Sequence, residues 1–334
     1  MKTILVTGGA GFIGANFIEF ILEEHGDYQV INVDKLTYAG DLIHLKKVQD
    51  HVNYTFVQGD ICDRALIEML FTSYDITGVF HLAAESHVDN SISGPEVFID
   101  TNIKGTFNVL DVAYKYWMES PGTYKKGYEN CRFLQVSTDE VYGSLGEKGL
   151  FTEETAYAPN SPYSASKASA DMLVRSYHHT YGMNTVITNC SNNYGPKQHA
   201  EKLIPTIIRK IQENQQIPVY GDGKNVRDWL YVKDHCVGLL LAFEKGRAGE
   251  VYNIGGKNEM TNLQIVRLIC ASMDILLSKD SGTCAKLITF VQDRAGHDYR
   301  YAIDASKIED SLGWKASENF KTGIQKTIAW YLNK

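Results

Sequence analysis

The amino terminus constrains this chain more than any other stretch. A β-branched run, Thr3–Thr7, passes without a break into Gly8-Gly9-Ala10-Gly11-Phe12-Ile13-Gly14, and then into a helical pattern carried by Ile13, Phe17, Ile18, Ile21 and Leu22. In that order, Gly8 permits a tight turn, Gly11 lets the backbone approach a pyrophosphate, and Gly14 lets the helix sit close to the strand. The helix amino terminus then faces the phosphates. Glycines in such a turn also serve packing alone, so the triplet by itself leaves both readings open. Asp34 decides between them. It ends the second predicted strand, where a carboxylate accepts hydrogen bonds from the adenosine ribose and repels a 2′-phosphate. The pattern predicts bound NAD rather than NADP, with the Lys35 cation softening that repulsion. Asp60, after the third strand segment, either binds the adenine edge or caps the helix that follows at Asp63-Arg64.

The rest of the chain extends this unit into an α/β fold. Strand candidates at Thr3–Thr7, Gln29–Asp34, Tyr54–Gln58, Gly78–Leu82, Arg132–Ser137 and Thr185–Thr188 alternate with helix-length segments. That alternation predicts a Rossmann-type doubly wound parallel sheet. At 334 residues the chain exceeds what one core usually supports, so a smaller second domain is expected. Beyond Ser191 the alternation loosens, and Pro196, Pro205 and Pro218 punctuate the sequence. The expected division is 1–190 for the dinucleotide and 191–334 for the substrate. Val251-Tyr252-Asn253-Ile254, before Gly255-Gly256, is expected to return to the main sheet and so interleave the two.

Composition excludes several classes of partner. With 33 basic and 40 acidic residues the formal charge is −7, which offers no footprint for nucleic acid. Hydrophobic residues at 44% and charged residues at 22% argue against long disorder. Cys62, Cys131, Cys190, Cys236, Cys270 and Cys284 form no CxxC pair and no zinc spacing, and predict buried thiols in a reducing cytoplasm. No secretion signal precedes the first strand, and apolar stretches such as Val237–Phe243 are too short to cross a bilayer.

Two further clusters carry chemistry. Tyr163 and Lys167 sit one turn apart in a segment that reads as helix from Pro162 to Tyr181. A Lys cation and a positive nicotinamide ring would both depress the phenol pKa, making Tyr163 a general base; alone, such a pair is equally an exposed helix pair. The strand Phe133–Ser137 runs into Thr138-Asp139-Glu140-Val141-Tyr142-Gly143, at the carboxyl end of a sheet where ligands bind. Adjacent carboxylates in a strand point to opposite faces, so both reach one substrate only if the backbone has already turned. Gly143 allows such a turn. One acid can then take a proton while the other delivers one.

This order of motifs resembles the extended short-chain dehydrogenase/reductase family. Over nearly the whole chain it is similar to that family's dTDP-glucose 4,6-dehydratase branch. The likeness rests on Asp34-Lys35-Leu36-Thr37-Tyr38-Ala39-Gly40, Leu82-Ala83-Ala84-Glu85-Ser86-His87-Val88-Asp89, Thr138-Asp139-Glu140 and Ser191-Asn192-Asn193-Tyr194-Gly195-Pro196. It continues through Glu201-Lys202-Leu203-Ile204-Pro205, Arg227-Asp228-Trp229 and Asp293-Arg294-Ala295-Gly296-His297-Asp298. The resemblance implies catalytic roles for Tyr163, Lys167, Thr138, Asp139 and Glu140. It implies cofactor contacts from Phe12, Ile13, Leu36, Thr37, Ile61, Leu82, Ala83, Ala84, Thr101 and Asn193. Nucleotide-sugar contacts are implied for Ser86, Asn192, Lys202, Leu203, Pro218, Val219, Tyr220, Asn262 and His297, with Arg227 and Arg294 clamping the pyrophosphate. The implied reaction is an NAD-dependent dehydration by internal hydride transfer from C4 to C6, and the implied assembly is a homodimer through the Tyr163 helix. Epimerases and decarboxylases of the family share the Tyr/Lys pair, and Asp139 is the residue that separates them. Lys197-Gln198-His199-Ala200 departs from the aromatic-containing run, ending in Pro, that is common there.

Overall fold

A computed structural model describes residues 1–293 and 298–333 of the chain. Its central element is a seven-stranded sheet: β1 (Lys2–Thr7), β2 (Tyr28–Asp34), β3 (Tyr54–Gln58), β4 (Gly78–His81), β5 (Arg132–Thr138), β6 (Thr185–Cys190) and β7 (Val251–Ile254). The strands lie in the order β7-β6-β5-β4-β1-β2-β3, and every pair is parallel. Such a sheet is covered on both faces, which is why its inner strands read as continuous apolar runs. Leu5, for example, faces Ile31 on one side and Val79 on the other. Strand order reverses at β1, and the crevice beyond β1 and β4 is where such a fold binds its ligand.

Two apolar layers hold the sheet. On one face α1 (Phe12–Glu24) packs so that Phe17 meets Phe80 of β4 at 4.4 Å between ring centroids, and Phe80 in turn meets Phe243 at 4.3 Å. The other face carries α2 (Arg64–Tyr74), α3 (Thr106–Trp117) and α4 (Pro162–Tyr181) over Leu5, Phe71, Trp117 and Phe133. A third core, around Tyr194, Ile207, Trp229 and Ile269, belongs to helices 203–212, 262–276 and 320–332. Its strands form a three-stranded sheet (192–194, 226–231, 259–261) and a parallel pair (217–220 with 288–291).

Strand β7, the expected return, lies beside β6 with Val251 opposite Ile187. Helix α4 spans the residues predicted for it. Ser161 and Ser164 form a reciprocal capping box, Pro162 takes the first helical position, and Gly182 closes the helix at φ 67°. The cysteine expectation needs one correction. Five are buried, but Cys62 is exposed on the connection after β3. No helix among the described residues is long and apolar enough to cross a membrane.

Candidate active site

At the carboxyl ends of β1, β4 and β5 a cleft runs from Asp34 and Asp60 at one end to Asn192 and Lys202 at the other. Its first wall is the glycine turn. A Cβ on Gly8 would lie 2.7 Å from the Ala83 Cα, and one on Gly14 would lie 2.3 Å from the Gly8 carbonyl oxygen, so the turn closes only with glycine at both places. Gly11 is the N-cap of α1 and has no side chain to accept the first-turn N–H groups, which therefore remain available to a phosphate. Phe12, Ile13, Thr37, Ile61, Leu82, Ala83, Ala84 and Thr101 line the same groove.

The ribose end is preset by backbone hydrogen bonds. Asp34 Oδ2 accepts the Ala10 N–H at 2.9 Å and Oδ1 accepts the Leu36 N–H at 2.8 Å, which leaves one lone-pair direction on each oxygen. Leu36 sits at φ 56° and turns its side chain into the core, so it shapes this end without lining it. Lys35 pairs with Asp60 at 2.7 Å, and Asp60 also accepts the Cys62 N–H at 2.9 Å. Asp63, not Asp60, caps α2, accepting the Leu66 N–H. The lysine cation is thus directed at Asp60 and not at Asp34.

The chemical end is built where β5 stops. After Thr138 the chain enters a 3-10 turn, Asp139–Tyr142, closed by Gly143 at φ 91°. The turn takes both carboxylates out of strand alternation, which the sequence required. Thr138 Oγ1 donates to Asp139 Oδ1 at 3.3 Å and accepts the Glu140 N–H at 3.3 Å. Asp139 is 2% exposed, and its Oδ2 has no hydrogen-bond partner among the described residues. Burial first, then the charges of Glu140 and Asp228, hold its carboxyl well above the ordinary carboxylate range, with Arg227 and the Thr138 bond only partly opposing. The Asp139 carboxyl is therefore biased towards its protonated form.

Tyr163 and Lys167 face this turn from α4. The Lys167 ammonium donates to the Val136 carbonyl at 2.7 Å, and burial lowers its pKa, with Asp171 and Cys190 opposing. The protein's own groups do not by themselves depress the Tyr163 phenol. Desolvation of its hydroxyl, followed by the charges of Glu140 and Cys190, raises it well above its usual value, and the Thr138 hydrogen bond counters only in part. A phenolate beside a carboxylate in a dry site is a poorly stabilised charge.

The far wall carries Ser86, Asn192, Asn193 and Lys202, whose ammonium donates to the Ser86 carbonyl at 2.9 Å. The side-chain oxygens of Asn192 and Asn193 and Gln198 Oε1 are buried with no hydrogen-bond partner among the described residues, and Glu201 Oε1 has only the Lys202 ammonium, 3.8 Å away. Orphan acceptors of this kind, converging on one cleft, suit a ligand rich in hydroxyl groups.

Other proposed substrate residues do not join the lining. Leu203 begins helix 203–212, and Val219 is buried in the third core. Pro218 and Tyr220 lie on the strand paired with Ile288–Val291, and Asn262 starts helix 262–276. Arg227 is buried. Its guanidinium lies 4.3 Å from the Tyr301 ring and donates to the carbonyls of Val226 at 2.8 Å and Asp298 at 3.0 Å. In this arrangement it braces the 298–301 segment and acts on Asp139 by its charge. Arg294 and His297 lie outside the described residues.

Several contributors escaped the motifs. Asn102, in a π-helical turn, accepts the Glu85 N–H at 2.8 Å and donates to the Ser166 hydroxyl at 2.8 Å, stapling the β4 loop to α4. Asp171, two turns after Tyr163, accepts the Ser137 hydroxyl at 2.5 Å and ties α4 to β5. His199 and Gln198 line the cleft from the run that departs from the family pattern.

The family model described as GDP-mannose 4,6 dehydratase matches residues 5–327. The dTDP-glucose 4,6-dehydratase of Neisseria meningitidis serogroup B is 52% identical over 337 residues, covering 100% of this chain and 94% of its own length. Among solved structures, the dTDP-glucose 4,6-dehydratase of Bacillus anthracis in complex with NAD superposes with a TM-score of 0.87 at 46% identity, covering 100% of this chain and 97% of that one. The dTDP-glucose 4,6-dehydratase of Streptomyces venezuelae with NAD and TYD bound gives 0.90 at 42% identity, covering 100% and 98%.

Proposed function

The chain belongs to the GDP-mannose 4,6 dehydratase family, and from that premise we propose that its cleft converts dTDP-glucose to the 4-keto-6-deoxy sugar with loss of water. It is an NAD-dependent hydro-lyase. The observation that carries this reading is the 3-10 turn holding Asp139, its carboxyl raised well above the ordinary range, beside Glu140 and opposite Tyr163. A 4-epimerase needs the tyrosine and the dinucleotide but no such acid.

Bound NAD supplies the hydride acceptor for C4 and the hydride returned to C6. The chain supplies the proton movements. Tyr163 takes the C4 hydroxyl proton while Thr138 holds that hydroxyl, and Lys167 provides the nearby cation that favours the phenolate. Oxidation at C4 acidifies the C5 hydrogen. Glu140 removes it, Asp139 Oδ2, with no hydrogen-bond partner among the described residues, delivers its proton to the departing C6 oxygen, and Glu140 gives its proton back to C5 when hydride reaches C6. Gly11 and the α1 amino terminus hold the pyrophosphate of NAD, Asp34 its ribose and Asp60 its adenine edge. Ser86, Asn192 and Lys202 contact the nucleotide sugar from the far wall.

Residues 1–190 with β7 serve the dinucleotide and 191–334 the nucleotide sugar. The exposed apolar side chains Val97, Phe107 and Met172, on or beside α3 and α4, support a homodimer through these helices. Six unpaired cysteines support a cytoplasmic location. Incubation with dTDP-glucose tests the whole reading. A product lighter by one water, carrying a 4-keto group, is expected; unchanged mass with a galacto product would make the enzyme an epimerase.

A further inference from the structure

The run that departs from the family pattern, Lys197 to Ala200, is not loose at its start. Lys197 is 5% exposed and its backbone sits at φ 70°, a region where a non-glycine residue is held against its own preference. The side chain points away from the cleft and under the dinucleotide helix. Its ammonium reaches Glu19 Oε1 at 2.7 Å and the Ala15 carbonyl at 3.3 Å. One residue earlier, the Pro196 carbonyl accepts the Asn16 side-chain N–H at 3.0 Å, and the same nitrogen donates to the Phe12 carbonyl at 2.8 Å. Three residues of α1 thus fasten the segment from beneath.

The two ends of this fastening are the two halves of the cleft. Phe12, Ile13 and Gly14, on the first turn of the same helix, line the dinucleotide groove, while Gln198, His199 and Glu201, just beyond Lys197, line the far wall. His199 also meets Tyr38, on the loop after the ribose carboxylate, edge to face at 5.6 Å. A buried ion pair is a poor source of net stability but a strict geometric constraint, because separating it leaves an uncompensated charge in a dry place.

Resting on the reading of the cleft given above, we propose that the Lys197–Glu19 pair is a positioning strap that couples the dinucleotide site to the substrate loop. An occupied turn seats α1, α1 seats residues 196–202, and a nucleotide sugar gripped by those residues slows departure of NAD. The coupling is reciprocal, since each site reads the other through the same helix.

The test compares wild type with Lys197→Met and with the double variant Glu19→Gln/Lys197→Met, which removes both charges together. NAD release from the purified holoenzyme is followed by fluorescence after dilution, with and without dTDP, alongside KM and kcat in saturating NAD. In wild type, dTDP slows release by roughly tenfold, a common size for coupled sites. In the double variant that slowing disappears, release is faster, and KM for dTDP-glucose rises more than kcat falls. The single variant melts lowest, because Glu19, 13% exposed, loses its ammonium partner, and the double variant recovers in melting temperature without recovering the coupling. A double variant in which dTDP slows release as much as in wild type would overturn the strap. Wild-type protein that holds no NAD would overturn the reading of the cleft, and the strap with it.

Discussion

Asp139→Asn separates the two halves of the proposed chemistry. The amide has nearly the volume of the acid and keeps an oxygen for the Thr138 hydroxyl, so the 3-10 turn should persist. What it lacks is a proton to give. Positioned general acids contribute about 10²–10⁴ in rate, or about 3–5 kcal/mol at 1.36 kcal/mol per decade. That loss should fall on elimination of water and leave oxidation at C4 close to wild type. Mixed rapidly with dTDP-glucose, the variant should build up near-ultraviolet absorbance of reduced nicotinamide at a near-normal rate, then stall. Folding gives a second readout. The Asp139 carboxyl is raised in the folded state, so above the ordinary carboxylate value the unfolded chain is ionised there to a greater extent than the folded chain. Stability is thus lost as pH rises from the ordinary carboxylate value towards the raised one, and Asn removes that loss. The variant should therefore be more stable than wild type at neutral pH and equal to it in acid. If both half-reactions slow equally, Asp139 is not the acid for C6.

Because the Tyr163 phenol is raised, its base form grows as pH increases, so C4 oxidation should climb through the alkaline range; in Tyr163→Phe that limb should vanish from the pH profile. Lys167→Met should slow C4 oxidation at least about 100-fold, with little change in KM, since the ammonium faces Val136 and not the far wall. Gly14→Ala places a Cβ on the Gly8 carbonyl and should yield protein destabilised by about 1–3 kcal/mol that purifies without NAD, seen by absorbance ratio and melting. The buried Asp171 carboxyl is pushed up to about 6, so stability should fall by about 3 kcal/mol as pH rises from the ordinary carboxylate value to about 6. Denaturant midpoints across that range should lose this slope in Asp171→Asn.

What the sequence disclosed was mainly local. The strand, glycine turn and helix at residues 2–24 and the capped helix at 162–181 are written in adjacent residues and in one periodicity, so they can be read without a fold. The need for a turn at Asp139 followed from strand alternation alone. Asn102 and Asp171 were not legible, because each matters through a partner far along the chain, Glu85 and Ser166 for one and Ser137 for the other. The surroundings of Tyr163 were hidden for a similar reason. Spacing places Lys167 one turn away, but the dry surroundings and the neighbouring Glu140 charge that outweigh it arise only when β5 and α4 meet. Pro218, Val219, Tyr220 and Asn262 came from family likeness, and in the folded chain they belong to the third core and its surface instead of the cleft lining.

The returning strand sets a condition on synthesis. Residues up to Cys190 include the glycine turn, the acid pair and the tyrosine, yet β6 has no neighbour on its outer side until Val251–Ile254 have been made. At ~5–20 residues per second, a growing chain carries its complete chemistry beside an unpaired strand edge for on the order of several seconds. An open edge of that kind is a template for other chains. The stretch proposed to grip the sugar is therefore also an interval of exposure, and a gene fragment ending near Cys190 should give aggregates where the full chain gives enzyme.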